Sequence, residues 1–125
     1  MKIINKDKYF LVLTNLFFKL NKYDYDAIVC LKRSGFIMGA YLSNQLGLPL
    51  FTPAEIDKIP KELNRILVVD DKIFTGKSIN KVKRQLLKKY FQVKTATLFC
   101  QSNIFPDIYL EKLNGIYKMW YEVKI

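Results

Sequence analysis

The sequence predicts an α/β fold: a mainly parallel sheet flanked by helices, in a single domain spanning residues 1–125. Apolar runs of strand length, DAIVCL at 26–31, ILVV at 66–69 and TATLFC at 95–100, recur with helical-period segments between them. Strands separated by helices in that repeated order call for parallel pairing, with right-handed crossovers that place the helices on the sheet faces. At 125 residues, 50% of them hydrophobic and 26% charged, the chain has enough apolar surface for one core and too little for two.

Each element follows from its local pattern. Residues 7–20 carry Phe10, Leu13, Leu16, Phe17 and Leu20 at helical spacing, which gives a first helix with one buried stripe. Its apolar part, 10–20, is interrupted by Thr14, Asn15 and Lys19 and falls short of the ~20 residues needed to cross a bilayer. Residues 26–31 form a strand covered on both faces, and 32–35 a polar turn. A second helix at 36–46 uses Phe36, Met38, Ala40, Tyr41 and Leu42 for apolar contact, with Gly47 as its left-handed cap. A second strand begins at 49–52. The two prolines and mixed charge of 53–64 predict a connecting loop with room for one helical turn, the mobile region of the chain. The strand at 66–69 runs into Asp70, Asp71 and a turn ending at Gly76, where a third helix starts. That helix turns Ile79, Val82, Leu86, Leu87 and Tyr90 inward and Lys81, Arg84, Gln85, Lys88 and Lys89 outward. Residues 95–100 form the fourth strand, and 103–125 a tail ending in a strand or aromatic flap.

Composition closes several chemistries. The chain has no histidine, which removes Ser-His-Asp and Cys-His catalysis and imidazole-based metal sites. Cys30 and Cys100 each end an apolar run and read as buried thiols. The formal charge of +10 attracts anions without choosing among phosphates, nucleic acid and acidic lipid. Asp7 interrupts the charged start and no small-residue cleavage site follows, so the expected compartment is the cytoplasm.

The chemistry concentrates in ILVVDDKIFTGKSI, 66–79. Ligands of open α/β sheets sit beyond the carboxyl ends of the strands, where Asp70 and Asp71 are expected to emerge. The stretch 72–78 offers backbone N–H groups, the hydroxyls of Thr75 and Ser78, the permissive Gly76 and the positive end of a helix dipole, a cradle suited to a phosphate monoester. Carboxylates beside it repel a polyphosphate but accept hydrogen bonds from sugar hydroxyls, so a ribose 5-phosphate satisfies both halves. A P-loop reading lacks its first glycine, since position 71 is Asp. A phospho-receiver pocket belongs after a first strand, not after residue 65, and the bland alternative is a solvated acidic turn.

This constellation resembles the type I phosphoribosyltransferase family, whose signature is a hydrophobic strand, two acids, a short variable stretch, then Thr-Gly and a hydroxyl residue. Asp70, Asp71, Thr75, Gly76 and Ser78 match it in register, and DAIVCLKRSGFIMGAYLSNQLGLPL is similar to the family's strand, pyrophosphate loop and helix, with Lys32, Arg33, Ser34 and Gly35 as the loop. A weaker similarity at VKTATLFC, FPDIY and MWYEV points to the small xanthine or hypoxanthine type, so the likeness spans 26–123. The resemblance implies a Rossmann-like fold with 101–125 as a base-side hood, and Mg²⁺-dependent exchange of the pyrophosphate of phosphoribosyl pyrophosphate for a purine-like base in nucleotide salvage. It implies that Asp70, Asp71 and Arg33 act in catalysis, with Asp70 and Asp71 also meeting the metal. Lys32, Ser34, Gly35, Lys72, Phe74, Thr75, Gly76, Lys77, Ser78 and Trp120 are the further substrate contacts, and the assembly is a homodimer. Three positions depart from the family. Phe74 stands where the 6-oxopurine enzymes carry an Asp general base, Gln101 replaces a base-contacting Lys, and Trp120-Tyr121-Glu122 replaces Pro-Trp-Glu. The family's lid between the second and third strands has only 53–64 to occupy. Phe105, Tyr109, Trp120 and Tyr121 are candidates for a base-stacking wall or for core packing.

Two other functions compete with the transferase. One is a catalytically silent relative that binds phosphoribosyl pyrophosphate or a nucleotide, which Phe74 and the short lid favour. The other is a nucleic-acid-binding module using Lys81, Lys83, Arg84, Lys88 and Lys89, whose bland counterpart is a solvated basic face.

Overall fold

The computed structural model describes residues 2–31, 35–73, 76–101, 106–115 and 117–123. In chain order these form β1 (Lys2–Ile4), α1 (Lys6–Leu20), β2 (Ala27–Cys30), α2 (Gly35–Leu46), β3 (Leu50–Phe51), a 3-10 helix (Pro53–Lys58), β4 (Arg65–Ile73), α3 (Lys77–Leu87), β5 (Gln92–Cys100), β6 (Ile108–Lys112), β7 (Tyr117–Met119) and a 3-10 turn (Trp120–Glu122). Five strands make one parallel sheet in the order β3-β2-β4-β5-β6, while β1 and β7 pair in parallel as a separate ribbon. The α/β class and parallel sheet expected from the sequence are present. No helix among the described residues is long and apolar enough to cross a membrane.

The central strands are apolar on both faces because both are covered. On one side Ile28, Leu67, Val69, Ala96 and Leu98 pack against Leu13 and Leu16 of α1 and Met38 and Leu42 of α2. On the other, Val29, Ile66, Val68 and Val93 pack against Ile79, Val82 and Leu86 of α3. Cys30 and Cys100 are buried free thiols, as expected from their place at the ends of apolar runs. Gly47 has φ 67, the left-handed conformation expected after α2. Helix α2 lies so close to β2 that a Cβ on Gly39 would stand 2.8 Å from the Cβ of Cys30.

Several details differ from the sequence reading. The α1 stripe is rotated toward Tyr9, which is fully buried, while Phe10 and Phe17 are only partly buried. Leu87 is exposed rather than inward, because α3 ends there. Phe36 and Ala40 are exposed as well. The segment 53–64 is pinned, not loose: Glu55 accepts from the N–H and hydroxyl of Thr52, Ile56 and Ile59 are buried against the α3 side, and the Tyr90 hydroxyl donates to the Ile59 carbonyl at 2.8 Å. The expected hood at 101–125 is divided, since β6 is an edge strand of the main sheet and β7 joins the ribbon.

The largest difference concerns the acids. Asp70 and Asp71 lie inside β4, not in a loop beyond it, because β5 keeps pairing as far as Ile73 opposite Cys100. Residues 71 and 98 drop out of that register, and the alternation of faces breaks there. Leu98 and Phe99 both pack on the α1–α2 side, and Ile73 and Cys100 on the α3 side.

Candidate active site

The carboxyl edge of the sheet holds Gly35, Asp70, Asp71, Gly76, Lys77 and Ser78 among the described residues singled out by the sequence. Gly35 opens α2 directly after the turn that follows β2, and its N–H donates to the Leu31 carbonyl at 3.0 Å. A Cβ built on Gly35 would lie 3.4 Å from the Val69 carbonyl and 3.6 Å from Oδ1 of Asp70. The end of the predicted pyrophosphate loop thus touches the acidic strand. On the other side of β4, Gly76 caps α3 with φ 77, a conformation that favours glycine. Lys77 and Ser78 are exposed in the first turn, where the helix dipole favours an anion. Lys32, Arg33, Ser34, Phe74 and Thr75 lie outside the described residues, as does Phe105.

The two carboxylates have different surroundings. Asp70 is 8% exposed, and its Oδ1 accepts the Asp71 N–H at 2.9 Å. Asp71 is 1% exposed, and its Oδ2 has no hydrogen-bond partner among the described residues. Burial, with repulsion from Asp70 second, pushes the Asp71 carboxyl up to about 8; Lys72 opposes the shift and Glu122 adds to it. A carboxyl with that environment is a functional-site signal. As donors for a cation the pair supplies hard oxygens. No group of three His, Cys, Asp or Glu side chains converges among the described residues.

Lys72 fixes one wall. Its ammonium donates to Oε1 of Glu122 at 2.8 Å and to the Tyr117 carbonyl at 3.1 Å, and Glu122 also accepts the Met119 N–H at 3.0 Å. Burial alone would raise the Glu122 carboxyl, but these donors hold it below its ordinary range. The bridge ties the β1–β7 ribbon to the acidic strand. Glu122→Gln should loosen that tie by about 1 kcal/mol, the scale of one charge-assisted hydrogen bond. Amide exchange at Tyr117 and Met119 should then quicken severalfold, with the β5 amides unchanged.

Sequence reasoning missed Tyr9. Its ring meets Trp120 and Tyr121 edge-on at 6.5 and 5.9 Å, and its hydroxyl is buried beside the Met38 backbone. Burial first, then Asp71 and Asp70, raise its pKa. Trp120 also packs on Phe10, with the Lys6 ammonium 5.8 Å from its ring, and its buried Nε1 is unpartnered. Gln101, just past β5, donates its backbone N–H to Ile73, yet neither polar atom of its side chain has a partner among the described residues. Thr97, level with Asp70 across the ladder, has an unpartnered hydroxyl too. Buried orphans are rare in folded chains, and this group lies on or beside the edge that holds the acids. Gln101 and Trp120 were singled out by the sequence; Tyr9 and Thr97 were not.

An open parallel sheet with two helix N-termini and an acidic strand at its carboxyl edge is the type I phosphoribosyltransferase fold. Helicobacter pylori xanthine-guanine-hypoxanthine phosphoribosyltransferase superposes with a TM-score of 0.87 at 22% identity, covering 98% of this chain and 92% of its own. A purine phosphoribosyltransferase from Pyrococcus horikoshii gives 0.83 at 24%, covering 100% and 97%. A hypothetical protein from Neisseria gonorrhoeae with bound ppGpp gives 0.80 at 19%, covering 98% and 90%. No protein-family model matches the sequence, and no curated protein matches it.

Proposed function

We propose that the protein is a phosphoribosyltransferase of nucleotide salvage that exchanges the pyrophosphate of phosphoribosyl pyrophosphate for a purine-like base. The observation that carries this reading is the approach of Gly35 to the Asp70 carboxylate, which brings the two predicted ligand segments to one edge. The neighbours named above supply the chemical class.

In this reading the α3 N-terminus, with Gly76, Lys77, Ser78 and Thr75, holds the 5′-phosphate. Asp70 and Asp71 accept from the ribose hydroxyls, and Lys32, Arg33, Ser34 and Gly35 hold the pyrophosphate. The bond from the anomeric carbon to the pyrophosphate oxygen breaks, a base nitrogen bonds to that carbon, and the base loses a proton. Arg33 and the loop N–H groups offset charge growing on the leaving group. Asp70 and Asp71 would hold a hydrated Mg²⁺, which supplies further charge neutralisation there. Gln101 and Trp120 offer donors and an acceptor, unmatched among the described residues, to a heterocycle.

Incubation with phosphoribosyl pyrophosphate, Mg²⁺ and a panel of bases should release pyrophosphate with at least one purine. Silence across purines and pyrimidines rejects the reading. A second reading, a silent nucleotide binder, rests on Phe74 and on the ppGpp held by the Neisseria protein. Calorimetry with ppGpp and with phosphoribosyl pyrophosphate should then give Mg²⁺-dependent heat without turnover. The nucleic-acid reading is weakened by the lysines of α3 and of the turn after it, since Lys83 pairs with Asp107 at 3.2 Å and Lys89 with Asp57 at 2.8 Å.

A further inference from the structure

A cavity of about 410 Å³ opens at the amino end of the sheet, lined by the 22–25 turn and by Arg65, Gln92, Lys94, Asp107 and Ile108 from the starts of three strands. Asp71 is six positions beyond Arg65 along β4, so the cavity lies about 20 Å from the acids, at the opposite end of the fold. The volume is that of a small-molecule site.

Its charges are unbalanced. The carboxylate of Asp107 already accepts the Thr95 N–H at 2.9 Å, the Thr95 hydroxyl at 3.1 Å and the Lys83 ammonium at 3.2 Å. Asp24 faces Arg65 at 3.6 Å. The ammonium groups of Lys22 and Lys94 have no ion pair or hydrogen bond to any described residue. The acids in the lining are engaged and two ammonium groups are left over, beside an Arg65 whose N–H is anchored by Asp26 at 2.9 Å. Tyr23 and Tyr25 complete the wall with ring centroids 6.3 Å apart and planes tilted by 51°. Tyr23 is 56% exposed, an open aromatic face beside surplus positive charge. Burial, chiefly, pushes the Tyr25 hydroxyl up to about 12, so at neutral pH it adds no negative charge. Stacking surface next to cations recognises a flat ring that carries an anion.

We propose that this cavity is a second ligand site, taking a phosphorylated aromatic compound of nucleoside monophosphate size. The phosphate meets Lys22, Lys94 and Arg65, and the ring lies against Tyr23 and Tyr25. The site is independent of the transferase reading, because it shares no residue with the carboxyl edge.

The test uses the full chain, isotopically labelled, with adenosine 5′-monophosphate as probe and inorganic phosphate and adenosine as controls. Saturable shifts are expected at the amides of 22–25, 65 and 92–94, distinct from shifts at 70–78 that report the acidic edge. Lys22→Ala with Lys94→Ala should weaken the first set at least tenfold and leave the second alone. Tyr23→Ala should abolish the preference for the nucleotide over inorganic phosphate. Shifts confined to 70–78, equal affinity for inorganic phosphate in the unsubstituted protein, or indifference to the double substitution would overturn the proposal.

Discussion

Asp71→Asn should make the protein more stable at pH 8, leave it nearly unchanged at pH 4, and weaken phosphoribosyl pyrophosphate binding at least tenfold. The folded carboxyl titrates at about 8 against an ordinary value of 3.8, so the folded state holds its proton more tightly than the unfolded state. Below the ordinary value both states are protonated and nothing is lost. As pH rises from about 4 to about 8 the unfolded chain releases the proton first, and stability falls by roughly 1 kcal/mol or more per pH unit; beyond 8 the loss is complete. Asn does not titrate. It leaves an unmatched amide, at about 1–3 kcal/mol, which is less than the charge penalty it removes at pH 8. Thermal unfolding of both proteins at pH 4, 6 and 8 should show a gain that grows with pH. An equal shift at all three would mean that Asp71 is ionised in the folded state. The accompanying loss of binding is expected at pH 8 and above, where the carboxyl is charged and pairs with hydroxyls better than an amide does.

The second large effect is expected at Gly39. Alanine in a helix interior is usually better than glycine by about 1 kcal/mol. Here the added Cβ would stand 2.8 Å from Cys30 Cβ, 3.2 Å from Leu50 Cδ1 and 3.4 Å from Cys30 Sγ. The nearest atom is rooted in β2 and cannot swing aside, so α2 must shift, an overpacking cost of about 1–3 kcal/mol. Gly39→Ala should lower the urea midpoint, and Gly39→Val should lower it further. Asn44→Ala, on the exposed side of the same helix, should raise it slightly through propensity alone. A Gly39→Ala protein as stable as the parent would show that the α2–β2 contact yields easily.

What the sequence made legible tracks burial. The runs at 27–30, 66–69 and 95–100 are covered on two faces, so composition alone marks them as strands. Residues 108–112 form an edge strand, mostly half-exposed, and carry neither an apolar run nor clean alternation. The three residues of β1 bury only Ile4, too little to register as a pattern. Asp70 and Asp71 were identified by type and neighbourhood, but their placement inside β4 depends on how far β5 extends beside it, which is a property of the ladder. Tyr9 reads as an ordinary helical aromatic, since nothing in the chain reports that its hydroxyl is buried beside the Met38 backbone. The amino-end cavity draws on four separated segments and forms no motif.

The anchoring of 53–64 sets an equilibrium. Swinging that stretch outward would carry Ile56 and Ile59 into water and break the contact from Tyr90. Hydrating two isoleucine side chains costs about 3–6 kcal/mol, so fewer than about one molecule in a hundred is displaced at any moment. Traffic to and from the carboxyl edge therefore proceeds with this stretch in place.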